Sequence, residues 1–188
     1  MPVTAFVFFA SAARGLVSVV AEELRALGAM DLREHPAGVH FSGDLALGYR
    51  ACLWLRAASR VMVEIAQIDA EDAQQLYTES KRQVWSRWLN PSLSFAVSFH
   101  GGNQNINNTG FGAQKVKDAI VDAMQTTLGR RPLVDPQHPA QVVHVHLSAG
   151  KARLTLDLVG GEALHQRGYR VEAGDAPLRE TLAAGLLW

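Results

Sequence analysis

Apolar residues in the first third of the chain recur with a spacing that changes between strand and helix periods. The apolar run at residues 4–9 predicts a buried strand, and leucines and valines at helical spacing over residues 16–27 predict a helix. A Pro-Ala-Gly turn then joins two short strands into a hairpin. A second helix begins at Asp44, and residues 61–68 form a further strand. This β-α-β-β-α-β order predicts a ferredoxin-like lobe over residues 1–70.

The second predicted helix has an apolar stripe of its own. Leu45, Tyr49 and Leu53 follow one another at one-turn spacing, which predicts the face that packs against the lobe. Cys52 lies beside that stripe, so we expect a buried thiol rather than a nucleophile. Because it is the single cysteine of the chain, an internal disulfide and a Cys-based zinc cluster are excluded.

The second half of the chain predicts another unit that mixes helices and strands. A polar, helical stretch over residues 72–85 precedes an alternating strand at 93–99, and a Gly/Asn-rich loop leads into a helix at 111–127. Two strands follow at 142–147 and 153–158, on either side of a glycine turn. The predicted fold class is α+β, and core packing is expected for both Trp85 and Trp88.

Charge is distributed unevenly although the formal net charge is zero. Residues 73–170 contain eleven Lys and Arg against six Asp and Glu, whereas both flanking segments contain more acids than bases. Such a basic centre favours contact with a polyanion, although ordinary surface charge would give a similar excess. The same composition contains no apolar run long enough to cross a bilayer and no convincing signal peptide, so we expect a cytoplasmic protein with no membrane partner.

Motifs for catalysis or nucleotide binding are missing from the sequence. The Gly-Phe-Gly triplet that begins at Gly110 lacks the third glycine of a dinucleotide fingerprint and the Gly-Lys-Ser/Thr of a P-loop. The loop and helix start at this point can hold a phosphodiester, or they can be a plain αβ connection in which Asn and Gly serve the turn. His144 and His146 share one face of a strand, but no further ligand at metal spacing accompanies them, so a structural role is favoured.

Residues 11–16, 38–44, 113–123, 164–170 and 176–184 are five segments that together resemble one known family, the bacterial 23S rRNA guanine-N2 methyltransferases of the RlmL (RlmKL) family. Residues 164–170 (LHQRGYR) and 176–184 (APLRETLAA) resemble the junction that leads into the methyltransferase domain of that family. Residues 11–16 (SAARGL), 38–44 (GVHFSGD) and 113–123 (AQKVKDAIVDA) resemble its opening, its first hairpin and its THUMP helix.

The resemblance implies a THUMP RNA-binding domain at residues 71–160, followed at 161–188 by a linker and the start of a methyltransferase domain. In the family, the first two domains bind rRNA and the third uses S-adenosylmethionine to methylate a guanine amino group. The chain reaches Trp188 without a cofactor loop or a catalytic Asn/Asp-Pro-Pro-Tyr motif, so this chain alone is expected to be non-catalytic, with no cofactor and no metal. The apolar residues near Trp188 are expected to fray, to pack back on the lobe or to mediate contacts.

The expected partners are therefore rRNA and the methyltransferase domain of the same protein. A THUMP module of a tRNA-modifying enzyme and a protein-interaction module are the alternatives. Sugar or base-edge contacts are predicted for the loop residues Asn103, Gln104 and Asn105. Phosphate contacts are predicted for eight cations: Lys115, Lys117, Arg130, Arg131, Lys151, Arg153, Arg167 and Arg170.

Overall fold

A computed structural model describes residues 5–168, 170, 172 and 177–188 of the chain. It divides into two compact units. Unit 1 contains residues 1–63 and 162–188, and unit 2 contains residues 64–161. These divisions lie close to the predicted boundaries at 70 and 160, with the last segment grouped with the first lobe.

Unit 1 has the predicted ferredoxin-like element order, with strands in the spatial order β2-β3-β1-β4 and antiparallel pairing of β1 with both β3 and β4. Phe8 and Phe41 stack in its core with ring centroids 5.0 Å apart. Buried Glu23 accepts hydrogen bonds from the backbone N–H groups of Arg56 and Ala57 and pairs with the Arg56 guanidinium at 3.1 Å. The elements are β1 (Phe6–Ala12), α1 (Val17–Ala26), β2 (Met30–His35), β3 (Gly38–Gly43), α2 (Leu45–Trp54), β4 (Ala58–Asp69) and α5 (Glu180–Leu186).

The predicted packing face of α2 is wrong. The helix begins at the predicted Asp44, whose side chain accepts a hydrogen bond from the Leu47 N–H at 2.7 Å. It then packs through a different face, whose buried residues are Leu47, Gly48 and Ala51. The small Gly48 and Ala51 allow the helix backbone to approach the lobe closely, so the larger residues turn outward. These outward residues are Leu45, Tyr49, Leu53 and Trp54, the last two 67% exposed, and Cys52 is half-buried rather than buried.

The segment that resembles the junction motif packs on unit 1. Arg167 donates hydrogen bonds to the carbonyl groups of Cys52, Leu53 and Leu55 at the end of α2. Trp188 donates a hydrogen bond to Glu22 at 2.7 Å, and the Arg56 guanidinium lies 5.2 Å from the centroid of the Trp188 ring. Of the three behaviours expected for this tail, it packs back on the lobe.

Unit 2 has the spatial strand order β4-β7-β6-β5, in which the second half of β4 takes part. Strands β5 and β6 are parallel, and β7 is antiparallel to β6. The predicted helix over residues 72–85 is shorter, because α3 ends at Lys81 and a separate 3-10 turn, Trp85–Arg87, follows. The elements are α3 (Ala73–Lys81), β5 (Phe95–Gly101), α4 (Thr109–Leu128), β6 (Gln141–Ser148) and β7 (Lys151–Asp157).

One face of the unit 2 sheet packs against α3 and α4. Phe95 and Phe99 of β5 lie in one core cluster with Leu76 of α3 and Ile120 of α4. Trp85 is buried and donates its indole N–H to the Ser80 carbonyl at 2.8 Å, as the core prediction requires, whereas Trp88 is half-buried. The opposite face of the sheet carries polar side chains.

Candidate nucleic-acid interface

The asparagine side chains of the loop after β5 are hydrogen-bonded to backbone groups. The Asn103 amide donates to the carbonyl groups of Ala70 and Glu71 at 2.9 and 3.2 Å, and its oxygen accepts the N–H groups of Asn105 and Ile106. The Asn105 amide donates to the Glu71 carbonyl at 3.0 Å. These contacts give Asn103 and Asn105 a structural role. Gln104 is exposed between them and has no hydrogen bond recorded to any described residue.

The edge of unit 2 at which β4 and β5 end is acidic, and we call it the acidic edge: the 102–107 loop, Asp69, Glu71, Asp72 and Lys151. Lys151 lies on this edge because the Ala70 N–H bonds to the Gly150 carbonyl at 2.7 Å. Its ammonium group pairs with Asp69 at 2.7 Å, and that carboxylate raises the pKa of Lys151. The predicted phosphate contact at Lys151 is therefore occupied by an acid.

Four further predicted cations are also engaged. Arg153 pairs with Glu64 at 3.2 Å, and Lys117 pairs with the adjacent Asp118. In unit 1, Arg167 donates hydrogen bonds to carbonyl groups at the end of α2. Arg170 pairs with Glu180 at 3.0 Å and donates to the Leu178 carbonyl. Each guanidinium or ammonium group would have to exchange an existing partner for a phosphate.

Lys115 and Lys117 do not form a common surface on α4. Residues two apart are separated by about 200° around a helix, so the two side chains flank opposite sides of the buried face centred on Val116. The Lys115 ammonium group lies 5.5 Å from the centroid of the Phe111 ring, with no acidic partner recorded in the described chain.

Arg130 and Arg131 are two predicted cations whose side chains remain accessible to solvent. Both are exposed, and neither has a hydrogen bond or ion pair recorded with any residue that the structure describes. They follow Gly129, the left-handed residue that ends α4. Helix α4 has 20 residues and is about 30 Å long, so both arginines lie far from the loop at its start. The backbone bond from the Phe95 N–H to the Leu133 carbonyl places the chain just after them beside the start of β5.

Three cations that the sequence analysis did not select lie at the same edge. Helices α3 and α4 both follow strands that end at the acidic edge, and the Tyr77 hydroxyl donates to Asp122 at 2.6 Å, so their last turns lie together. The 3-10 turn with Arg87 packs beside α4. The local signal for Lys81 and Arg87 is a basic residue in the last turn of each element. We call this set the basic edge: Lys81, Arg82, Arg87, Arg130 and Arg131.

The basic edge combines charge with aromatic and apolar surface. The Lys81 ammonium group lies 5.6 Å from the centroid of the Tyr77 ring, and the Arg87 guanidinium lies 5.7 Å from the centroid of the Trp88 ring. Leu133, two residues after Arg131, adds an exposed apolar side chain. Cations next to aromatic faces are the side-chain types that contact phosphates and stacked bases.

Three acids accompany the basic edge, and none is recorded as a partner of Arg130 or Arg131. Asp122 accepts the hydrogen bond of the Tyr77 hydroxyl. Glu79 pairs with Arg82. Asp135 accepts the backbone N–H groups of His138 and Gln137, at 3.0 Å each, and these bonds lower the pKa of the Asp135 carboxyl. The edge therefore keeps an excess of positive charge.

No three His, Cys, Asp or Glu side chains among the described residues are placed to hold a metal ion. No helix in the described ranges combines the length and apolar character needed to cross a bilayer.

Comparison with known proteins identifies both units. The RlmL ferredoxin-like domain family matches residues 7–62, and the THUMP domain family matches residues 70–157. The ribosomal RNA large subunit methyltransferase K/L of Cellvibrio japonicus (strain Ueda107) is 46% identical over 180 residues, which cover 96% of this chain and 24% of that protein. The corresponding protein of Aeromonas salmonicida (strain A449) is 45% identical over 180 residues, covering 96% of this chain and 25% of that protein.

A solved structure supports the same assignment. The crystal structure of a predicted N6-adenine-specific DNA methylase from Listeria monocytogenes str. 4b F2365 superposes with a TM-score of 0.84 at 31% identity. The match covers 98% of this chain and 48% of that one.

The fold is thus a ferredoxin-like domain followed by a THUMP domain, which confirms the α+β class and both predicted domain types. Residues 7–62 thus belong to the RlmL ferredoxin-like domain family, and residues 70–157 to the THUMP domain family. The chain spans about a quarter of the length of the curated relatives it matches.

Proposed function

We propose that the chain binds structured 23S rRNA through the basic edge of its THUMP domain. A methyltransferase domain in the rest of the full-length protein would then methylate a guanine N2 that this binding positions. The main support for this proposal is that Arg130 and Arg131 are exposed and have no acidic partner among the described residues. Four other predicted cations already pair with an acid: Lys117, Lys151, Arg153 and Arg170. The names of the curated relatives support rRNA as the substrate.

The proposal assigns S-adenosylmethionine to the methyltransferase domain rather than to this chain. The connection from β5 to α4 would be the counterpart of a cofactor loop, because a strand leads there through glycines into a helix. Its interior is filled by buried Ile106 and by the Asn103 hydrogen bonds, so these residues do not fit a nucleotide-like cofactor. The role of the chain is to bind and orient RNA, in the cytoplasm where rRNA is modified.

Salt-dependent RNA binding tests the proposal directly. A fluorescent 23S rRNA hairpin is titrated with the full chain at several salt concentrations, and the slope of log K against log salt counts the phosphates that are neutralised. The Arg130→Ala/Arg131→Ala variant should weaken binding about tenfold or more and reduce the slope by about 2, because each lost phosphate contact removes about 1. Lys151→Ala is the matched control, and it should change the affinity less than about twofold because Asp69 already holds that charge.

Two results would contradict the proposal. One is a salt-independent affinity of the unmodified chain, and the other is an equal loss from the Lys151 and the Arg130/Arg131 variants. Competition between the rRNA hairpin and a tRNA decides between rRNA and the tRNA alternative, because backbone contacts alone do not carry sequence information. In the full-length protein, loss of the basic edge should lower kcat/KM for the RNA.

The outward face of α2 favours a second candidate function, contact with another protein. Tyr49, Leu53 and Trp54 are large apolar side chains exposed side by side on one helix, and such a patch is typical of an interaction surface. Co-purification of the chain with a separate methyltransferase subunit, together with no measurable RNA affinity, would favour this role over the first.

A further inference from the structure

Three histidines lie on the face of the unit 2 sheet that points away from α3 and α4. The parallel register of β5 and β6 places His100 beside His146 and Ser98 beside His144. The register of β6 and β7 places Arg153 beside His146. Because side chains alternate along a strand, these polar residues share the face opposite the apolar core. We call the set of Ser98, His100, His144, His146 and Arg153 the histidine face.

The three imidazoles lie close together but differ in their hydrogen bonds. The rings of His100 and His144 are nearly parallel, with centroids 6.2 Å apart and an interplanar angle of 15°. His144 Nε2 lies 3.3 Å from the Oδ2 atom of Asp157, whose side chain is fully buried, so His144 is anchored. His100 Nε2 lies 3.0 Å from the Ser98 hydroxyl, and both His100 and His146 are exposed.

The surroundings of His100 disfavour its protonated form in the free protein. Desolvation, followed by the neighbouring His144 and His146, lowers the pKa of His100. The carboxylates nearest to this face have other partners: Asp157 accepts from His144 and from the Val159 N–H, and Glu64 pairs with Arg153. Within the described part of the sheet, no ion pair with a carboxylate is recorded for His100 or His146.

We propose that the histidine face is a second RNA-contact surface, on which protonated His100 and His146 together bind one phosphodiester of the RNA backbone. The inference rests on the proposed RNA-binding function and extends it to a surface away from the basic edge. A phosphodiester is a permanent anion, so it supplies the counter-charge that the cluster lacks. The flat sheet face also leaves the imidazole rings open to an unpaired base.

Proton linkage gives this contact a defined pH dependence. His100 is neutral above its lowered pKa in the free chain, and a bound phosphate raises that pKa. Binding therefore takes up protons between the free and the bound pKa, and RNA affinity rises as the pH falls through that window. Affinity is flat above the bound pKa and below the free pKa.

The test measures Kd of the full chain for the rRNA hairpin at constant ionic strength, from about pH 8 to about pH 5.5, which brackets the ordinary histidine pKa of about 6.5. The unmodified chain should bind at least about threefold more tightly at the acidic end, since each proton taken up contributes at most tenfold per pH unit. The His100→Gln/His146→Gln variant should give a flat profile while its affinity near pH 8 stays within about twofold. His138→Gln is the matched control, because His138 is an exposed histidine of the same unit, in the loop before β6.

A second substitution keeps the test decisive if the glutamine variant folds poorly. His146→Arg holds a positive charge at every pH, so it should raise the affinity near pH 8 and reduce the pH dependence. A pH-independent Kd in the unmodified chain, or equal profiles for the His138 and the His100/His146 variants, would overturn the inference and leave the salt-dependent role of Arg130 and Arg131 intact. A pH-dependent affinity for polyglutamate that the His100→Gln/His146→Gln variant abolishes, together with an RNA affinity that does not change with pH, would assign the face to an acidic protein and would also overturn it. An absence of RNA binding at every pH would overturn both proposals.

Discussion

The two edges of the THUMP unit differ in how their polar side chains are used. At the acidic edge, Asn103 and Asn105 are bonded to backbone carbonyl groups and Lys151 is bonded to Asp69. At the basic edge, Arg130 and Arg131 are exposed and have no recorded partner in the described residues. A loop rich in Gly and Asn is therefore not evidence of a ligand site, because amide side chains satisfy backbone groups that would otherwise be unpaired.

The difference has a structural cause. The chain leaves β4 at Ala70 and passes under the loop that follows β5, so the carbonyl groups of Ala70 and Glu71 need donors from that loop. At the end of α4, by contrast, no hydrogen bond or ion pair with a described residue is recorded for the two arginine side chains that follow Gly129. Polar side chains are available to bind a ligand only where the fold does not already engage them in hydrogen bonds or ion pairs.

The largest expected effect compares one left-handed glycine from each edge. Gly101 at the acidic edge has φ of +80°, and an added Cβ would lie 2.1 Å from the Leu147 carbonyl oxygen. Gly129 at the basic edge has φ of +66°, with no atom of the described structure within 4 Å of such a Cβ. Gly101→Ala should lower the free energy of unfolding by at least about 3 kcal/mol, and Gly129→Ala by only about 1–2 kcal/mol, the backbone strain alone. Urea unfolding of both variants measures the difference, and equal losses would show that the two edges are packed alike.

Neighbouring loop residues give the next contrast. Asn103→Ala removes four hydrogen bonds and should lower the free energy of unfolding by about 1–3 kcal/mol, because it leaves the Ala70 carbonyl unpaired. Gln104→Ala is the control and should change stability little. Neither variant should change RNA affinity once the fraction of folded protein is taken into account. A loss of affinity in the folded Gln104→Ala variant would instead support the predicted base-edge contact.

The smallest expected effect comes from releasing Lys151. Asp69→Asn removes the carboxylate that raises the pKa of Lys151 and leaves its ammonium group open. The acidic edge loses one negative charge, so RNA affinity at low salt should rise by about twofold at most. Fluorescence titration against the unmodified chain measures this change. A tenfold or larger gain would place the RNA backbone at the acidic edge and contradict the contrast between the two edges.

Much of the fold could be read from the sequence. Hydrophobic periodicity predicted the order of the strands and helices, and single residues fixed helix ends: Asp44 caps α2, and Gly129 ends α4. These features depend on neighbours within a few residues, where backbone geometry and capping are decided. Resemblance in short motifs predicted the two domain types.

The tertiary structure decided which of those side chains are available. Periodicity predicted that α2 packs through Leu45, Tyr49 and Leu53. The helix instead packs through a face that includes Gly48 and Ala51, because close approach depends on the shape of the facing sheet. Lys151 is held by Asp69, 82 residues away, and the basic edge joins the last turns of α3 and α4, whose final residues, Lys81 and Leu128, are 47 positions apart in sequence. The sequence alone determined which residues are charged and where the helices with clear capping residues begin or end, as at Asp44 and Gly129. Only the fold determined which charges are neutralised, since an ion pair depends on distance in space and not on separation along the chain.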